Sequence, residues 1–226
     1  AEVIAAKAKE LGSPAYKVIQ AGAKVLGNNK DGIDFSLEDD YYGDTRFHIP
    51  FIAWYQVMNA SLALTTMEVL KDRIPVTMEQ LQAGIANTRW QGRMETILPG
   101  VIVDGAHNED GVRRFVETAE RFQKEYPLTL LFSAVNDKDY QDMFHTICSR
   151  IKFRKVVTTE VGGYREVPSA ELAEIFCKEG CKDVGNSDNI EEAFHMAHEA
   201  KGEDGMLFCV GSLYLVGEIK TLLLKK

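Results

Sequence analysis

The sequence contains no Gly-x-x-x-x-Gly-Lys-Ser/Thr segment, so a loop built to cradle nucleotide phosphates is missing from it. It contains no Gly-x-Gly-x-x-Gly either, which leaves a dinucleotide site without direct support, and no Gly-x-Ser-x-Gly elbow, which argues against an α/β-hydrolase. Long apolar runs are lacking: Ile97–Val103, among the longest, is far too short to span a bilayer. No basic segment followed by an apolar stretch opens the chain, so no signal peptide is read. Basic residues are the minority, 26 Lys and Arg against 34 Asp and Glu, a net charge of −8. That excludes wholesale binding to nucleic acid or an anionic membrane, and any polyanion contact must be local. Cysteine is scarce: four residues at no metal-ligand spacing, with Cys177 and Cys181 four apart on one expected helical face. They read as buried thiols in a reducing, cytoplasmic setting. An initiator Met is also missing, and the opening Ala1–Leu11 reads as mid-helix, so the chain is expected to be a fragment.

What is present suffices for a packed core. Hydrophobic residues make up 45% of 226, enough for one large domain or two small ones. The first part reads as a helix over Ala1–Leu11 stopped by Gly12-Ser13-Pro14, a short strand at Tyr16–Ile19, and strands at Ile33–Glu38 and Thr45–Ile49 around turn material. Phe51–Leu70 carries helical apolar spacing, and Thr77-Met78-Glu79-Gln80 is a capping box for a second helix through Ala86. The polar stretch Asn87–Met94 marks a domain boundary. Beyond it strands and helices alternate. Strands are expected at Val101–Val103, Leu128–Ser133, Lys155–Thr159 and Met206–Val210, with a weak one near Lys182–Val184. Helices are expected at Asp110–Glu125, Tyr140–Arg150, Ala170–Lys178, Ile190–Ala200 and Leu213–Leu224. Strands that are continuous apolar runs are buried on both faces, which implies a parallel sheet covered by helices.

The segment Val101-Ile102-Val103-Asp104-Gly105-Ala106-His107-Asn108 is a buried strand ending in an acid, then a loop, then a helix start. In open α/β sheets ligands sit outside strand C-termini. An acid there repels phosphate but accepts hydrogen bonds from ribose hydroxyls, and His107 can stack on a base or bond polar groups. The competing reading has Asp104 and Asn108 merely capping the following helix. Arg93, in Trp90-Gln91-Gly92-Arg93-Met94-Glu95, suits a transferring phosphoryl group; the competing reading is a surface pair with Glu95. His195 and His198 share a helical face without a third ligand and read as a polar face, and Glu38-Asp39-Asp40 reads as a solvated turn; no metal ligands are assigned. Tyr164-Arg165-Glu166 falls in a loop after a strand.

Trp-x-Gly-Arg-x-Glu at 90–95, Asp-Gly-Ala-His-Asn at 104–108 and Gly-Ser-Leu-Tyr-Leu-Val-Gly-Glu at 211–218 together resemble folylpolyglutamate synthase/dihydrofolate synthase, of the Mur ligase family. Tyr55-Gln56-Val57-Met58-Asn59-Ala60 is similar to that family's His-Gln-x-x-Asn-Ala helix, so four motifs in order cover most of the chain. The resemblance implies an α/β fold: residues 87–226 as a Rossmann-like, mostly parallel sheet covered by helices, and residues 1–86 as the truncated end of the central ATPase domain, without its P-loop. It implies ligation of L-glutamate to the γ-carboxylate of folate, or to dihydropteroate, with ATP and Mg²⁺ through an acyl phosphate. The metal ligands then belong to the absent part, and the chain alone is expected to be inactive. Carried over by position, Asn59 lies near the adenine, Arg93 on the phosphates and Asp104 on the ribose, while His107 lines the nucleotide or the reaction centre. Lys138, in Asn136-Asp137-Lys138-Asp139, and Ser212 at a helix start are candidates for the glutamate carboxylate. For these two the alternatives are a solvated turn and a simple N-cap.

The sequence departs from the family at Tyr55, where His is usual, at Gln91, where Pro is usual, and at Phe132-Ser133, where Gly is frequent. A cut central domain leaves open sheet edges, so self-association through that part is expected. The rival readings are a non-catalytic nucleotide-binding or regulatory module and a Mur-type ligase acting on cell-wall precursors; the 211–218 segment favours the folate branch.

Overall fold

The structure, a computed structural model, describes residues 2–18, 22–29, 31–135, 141–162 and 167–224. The chain forms two compact units, Ala1–Thr88 and Arg89–Lys226.

In the first unit α1 (Glu2–Glu10) buries none of its residues and gives way at Gly12, whose φ of +62° is the left-handed conformation glycine tolerates. Three antiparallel strands follow, β1 (Ala23–Asn29), β2 (Gly32–Leu37) and β3 (Arg46–Ile49), in that spatial order. Ile33, Phe35 and Leu37 alternate inward along β2, and Phe47 and Ile49 along β3. Val57 and Leu64 of α2 (Tyr55–Val69) and Leu81 of α3 (Met78–Ala86) join them in one core. Burying each such side chain stabilises by about 1.5–3 kcal/mol. The Tyr42 hydroxyl donates to the Leu64 carbonyl at 2.7 Å, fixing the β2–β3 loop to α2. The capping box at Thr77 is complete, with Gln80 bonded in both directions.

The hairpin around residues 39–44 and α3 agree with the sequence reading. The strand expected at Tyr16–Ile19 does not form over residues 16–18; Ile19 lies outside the described residues. The strand forms instead at β1, where Ala, Gly and Asn conceal the alternation. The helix begins at Tyr55 rather than Phe51, because Phe51, Ile52 and Ala53 are buried in non-helical chain.

The second unit runs β4 (Glu95–Leu98), β5 (Val101–Asp104), α4 (Glu109–Phe122), β6 (Leu128–Phe132), α5 (Gln141–Arg150), β7 (Phe153–Thr159), α6 (Ser169–Lys178), β8 (Val184–Ser187), α7 (Ile190–Lys201), β9 (Met206–Val210) and α8 (Leu213–Leu224). Its six-stranded sheet has the order β4-β5-β9-β6-β7-β8, and every pair is parallel except β4–β5. All residues of β5 and β6 are buried, as a sheet covered on both faces requires. Val101, Val103, Leu131, Val157 and Cys209 face α7 and α8 through Phe194, Leu215 and Ile219. Phe208 packs on Phe115 and Phe122 of α4, and Phe132 on Phe144 and Phe176 of α5 and α6. Asp104, Phe132 and Val210 stand level in the register, so the chain leaving β5, β6 and β9 emerges at one end of the sheet. Among the described residues no helix is long and apolar enough to cross a membrane.

Candidate functional site

The end of β5 is built around a buried acid. Asp104 is 4% exposed; its Oδ2 accepts the Met94 N–H and its Oδ1 the Ala106 N–H, each at 2.8 Å. Gly105 N–H donates to the Gly92 carbonyl at 2.8 Å. The carboxylate therefore clamps the Gly92–Met94 turn onto the loop that leads to α4. Met94 is the one non-glycine residue at positive φ, +45°, among the described residues, a conformation costing about 1 kcal/mol or more that the Asp104 contact holds in place. Burial pushes the Asp104 carboxyl up to about 6, although the Met94 and Ala106 N–H groups and the charges of Arg93 and His107 pull it down.

The Asp104 carboxylate sits inside this clamp. It does not project openly into the crevice, and a ribose hydroxyl would be a third partner on oxygens that already accept two backbone donors. Nor does it cap α4. Asn108 is the N-cap, accepting the Gly111 N–H at 2.8 Å.

Arg93 occupies the centre of the clamped turn, partly exposed, with its guanidinium 5.9 Å from the ring centre of the half-exposed Trp90. The surface pair with Glu95 does not form. Glu95 instead takes Lys220 of α8 at 2.7 and 3.0 Å and the Gly92 N–H at 2.8 Å, and Arg93 has no ion pair among the described residues. A partly exposed guanidinium without an ion pair among the described residues has donors to offer an anionic group. The α4 N-terminus competes poorly for that role, because Glu109 and Asp110 already fill its first turn.

His107 is exposed, and its Nδ1 lies 2.7 Å from the Gly105 carbonyl oxygen. A carbonyl only accepts, so Nδ1 carries the proton and Nε2 is left as the acceptor of the neutral ring. Ser212 is 2% exposed and accepts the Tyr214 N–H at 3.1 Å, the geometry of an N-cap on α8. The turn into α8 needs glycine: Gly211 has φ +113°, and a Cβ there would lie 2.0 Å from the Ser133 carbonyl oxygen.

The structure thus brings Arg93, Asp104 and His107 together and sets Ser212 at a strand end on the same side of the sheet. Asn59 belongs to the first unit, exposed on α2, where its Nδ2 donates to Gln56 Oε1 at 2.8 Å. Gln56 is 3% exposed and its own Nε2 has no partner among the described residues, a buried donor beside Asn59 that the sequence reading passed over. Its signal was a polar pair three apart in an otherwise apolar helix stretch. Lys138 and Tyr164-Arg165-Glu166 lie outside the described residues. Among the described residues no group of three or more His, Cys, Asp or Glu side chains could hold a metal ion; His195 lies 4.0 Å from Glu191, and His198 stacks on Phe194. Among the described residues the donors fit an anionic phosphate group and do not fit a divalent cation.

Residues 92–213 match the family described as Mur ligase, glutamate ligase domain. The dihydrofolate synthase/folylpolyglutamate synthase of Bacillus subtilis is 29% identical over 194 residues, covering 82% of this chain and 43% of that protein. Among solved structures, Mycobacterium tuberculosis folylpolyglutamate synthase, complexed with ADP and AMPPCP, superposes with a TM-score of 0.78 at 23% identity, over 98% of this chain and 52% of that one. Thermotoga maritima folylpolyglutamate synthase gives 0.77 at 25% identity, over 99% and 51%. The chain spans about half the length of the proteins it matches.

Proposed function

The chain belongs to the Mur ligase family through its glutamate ligase domain, and from that premise we propose that it serves an ATP-dependent ligase adding L-glutamate to folate, or to dihydropteroate, as part of a folylpolyglutamate synthase/dihydrofolate synthase. The first unit is then the remainder of the central ATPase domain. The observation that carries this reading is the Arg93 guanidinium, partly exposed on a turn that the buried Asp104 clamps through the Met94 N–H, and without an ion pair among the described residues. The nucleotide-bound relatives support it.

In this reading the substrate carboxylate is activated as an acyl phosphate and attacked by the glutamate amine. Arg93 meets the negative charge on the phosphates and stabilises it as it moves. His107 offers Nε2 as an acceptor to the nucleotide or the attacking amine. Asp104 acts first as a positioning residue for the Arg93 turn, and the ribose has access only to its remaining lone pairs. Asn59 lies near the adenine. Ser212 and the α8 N-terminus, with Lys138, receive the glutamate carboxylate. Phosphoryl transfer needs metal and phosphate clamps together, and in this reading the chain supplies the phosphate contact, so on its own it does not ligate.

The test is calorimetric titration of the chain with ADP and with adenosine. ADP binds saturably and more tightly than adenosine, because the phosphates carry the contact. Equal affinity for the two, or no saturable ADP binding, overturns the proposal.

A further inference from the structure

The sequence places Cys177 and Cys181 on one helical face, but the structure separates them. α6 ends at Lys178, and Gly180, at φ +96°, turns the chain away. The Cys181 N–H closes back on the Phe176 carbonyl at 3.0 Å, a glycine-terminated helix stop that fixes where Cys181 sits. It sits against Cys148 in the last turn of α5, with the two sulfurs 3.6 Å apart and both residues half-buried. α5 and α6 are already locked together there: the Phe144 and Phe176 rings are 4.7 Å apart, and His145 Nδ1 lies 3.2 Å from Glu179 Oε2. The pair lies where β7 and β8 begin, at the end of the sheet opposite Asp104. The other two cysteines differ: Cys177 is exposed and Cys209 is wholly buried in the core.

We propose that Cys148 and Cys181 are a reversible dithiol–disulfide pair, a redox modification site that small disulfides oxidise. The sulfurs need to approach from 3.6 Å to a bond of about 2.05 Å. Cys181 is the attacking thiol. The hydrogen bond between the two sulfurs, in which either thiol can donate, lowers the Cys181 pKa, while the same bond and burial raise that of Cys148. The Cys181 thiolate attacks one sulfur of R–S–S–R; that bond breaks, and one RS⁻ leaves and takes up a proton. Cys148, losing its proton, then attacks the Cys181 sulfur of the mixed disulfide and expels the second RS⁻. Two protein thiols are oxidised to one disulfide while R–S–S–R is reduced to two RSH. The cross-link closes the chain from residue 148 to residue 181 around β7.

The experiment incubates the full chain with glutathione disulfide, blocks free thiols by alkylation, and maps the digest by mass spectrometry. The expected product is a linked Cys148–Cys181 peptide pair, with the intact chain lighter by two hydrogens at that site and Cys209 unmodified. Dithiothreitol reverses it, and Cys177→Ser leaves it unchanged. The oxidised chain gains about 1 M in its urea midpoint. In Cys148→Ser the reaction stops at a glutathione adduct on Cys181. Wild-type chain yielding no Cys148–Cys181 link, or linking through Cys177 instead, overturns the proposal without recourse to any variant.

Discussion

Replacing Asp104 by alanine produces a stability change whose size depends on pH, and the dependence follows from the burial of that carboxyl. Its pKa is raised from 3.8 to about 6, so the folded state holds a proton more tightly than the unfolded state. The stability this contributes is fully present below the unfolded value and is lost as pH rises through about 6. Going from about pH 7 to about pH 4.5, the wild type gains about 2 kcal/mol from this group, and Asp104→Ala gains nothing from it. At neutral pH the variant strands the Met94 and Ala106 N–H groups, at about 1–3 kcal/mol each, but is relieved of about 3 kcal/mol of carboxylate burial. The two effects nearly cancel, and the variant is close to wild-type stability. At about pH 4.5 the relief is largely gone and the variant is clearly weaker. Urea denaturation at both pH values, followed by Trp90 fluorescence in a Trp54→Phe background, reports the second unit alone. The difference between variant and wild type cancels every other titration. A difference that does not change with pH, or that grows toward neutral pH, refutes the reasoning.

Gly211→Ala places a Cβ 2.0 Å from the Ser133 carbonyl oxygen at a φ of +113° and costs about 3 kcal/mol or more, read as a lowered melting temperature of the second unit. Glu95→Ala breaks the Lys220 pair and frees the Gly92 N–H; it costs about 1–2 kcal/mol and loosens the Arg93 turn, seen as faster hydrogen exchange at Gly92 and Met94. In the complete ligase Arg93→Ala depresses turnover more than nucleotide affinity, because the guanidinium acts on charge in transfer; kinetics and equilibrium binding together separate the two.

The parts of the fold that could be read from the sequence were those whose residues face apolar surroundings on both sides. Met206–Val210 and Leu213–Leu224 have the expected bounds, because a fully buried run and an apolar helix between Gly and chain end leave little ambiguity. β1 and β4 could not be read, since each is an edge strand of mixed polarity. Glu95–Leu98 also merges with Val101 across Pro99-Gly100, a turn signal in an otherwise apolar run. At the site, the motifs named Arg93, Asp104 and His107, yet their spacing said nothing of partners. That Asp104 is taken up by Met94, ten residues upstream, and Glu95 by Lys220, 125 residues away, is decided by tertiary packing. The same holds for Cys148 and Cys181, brought together across 33 positions.

The most direct test of the account is to map where ADP touches the chain by following backbone amide resonances during a titration. The largest shifts are expected at Gly92–Glu95 and Gly105–Asn108, around the Asp104 clamp. Perturbations confined elsewhere, such as the opposite end of the sheet near Gly100 and Lys201, with those two segments silent, contradict it.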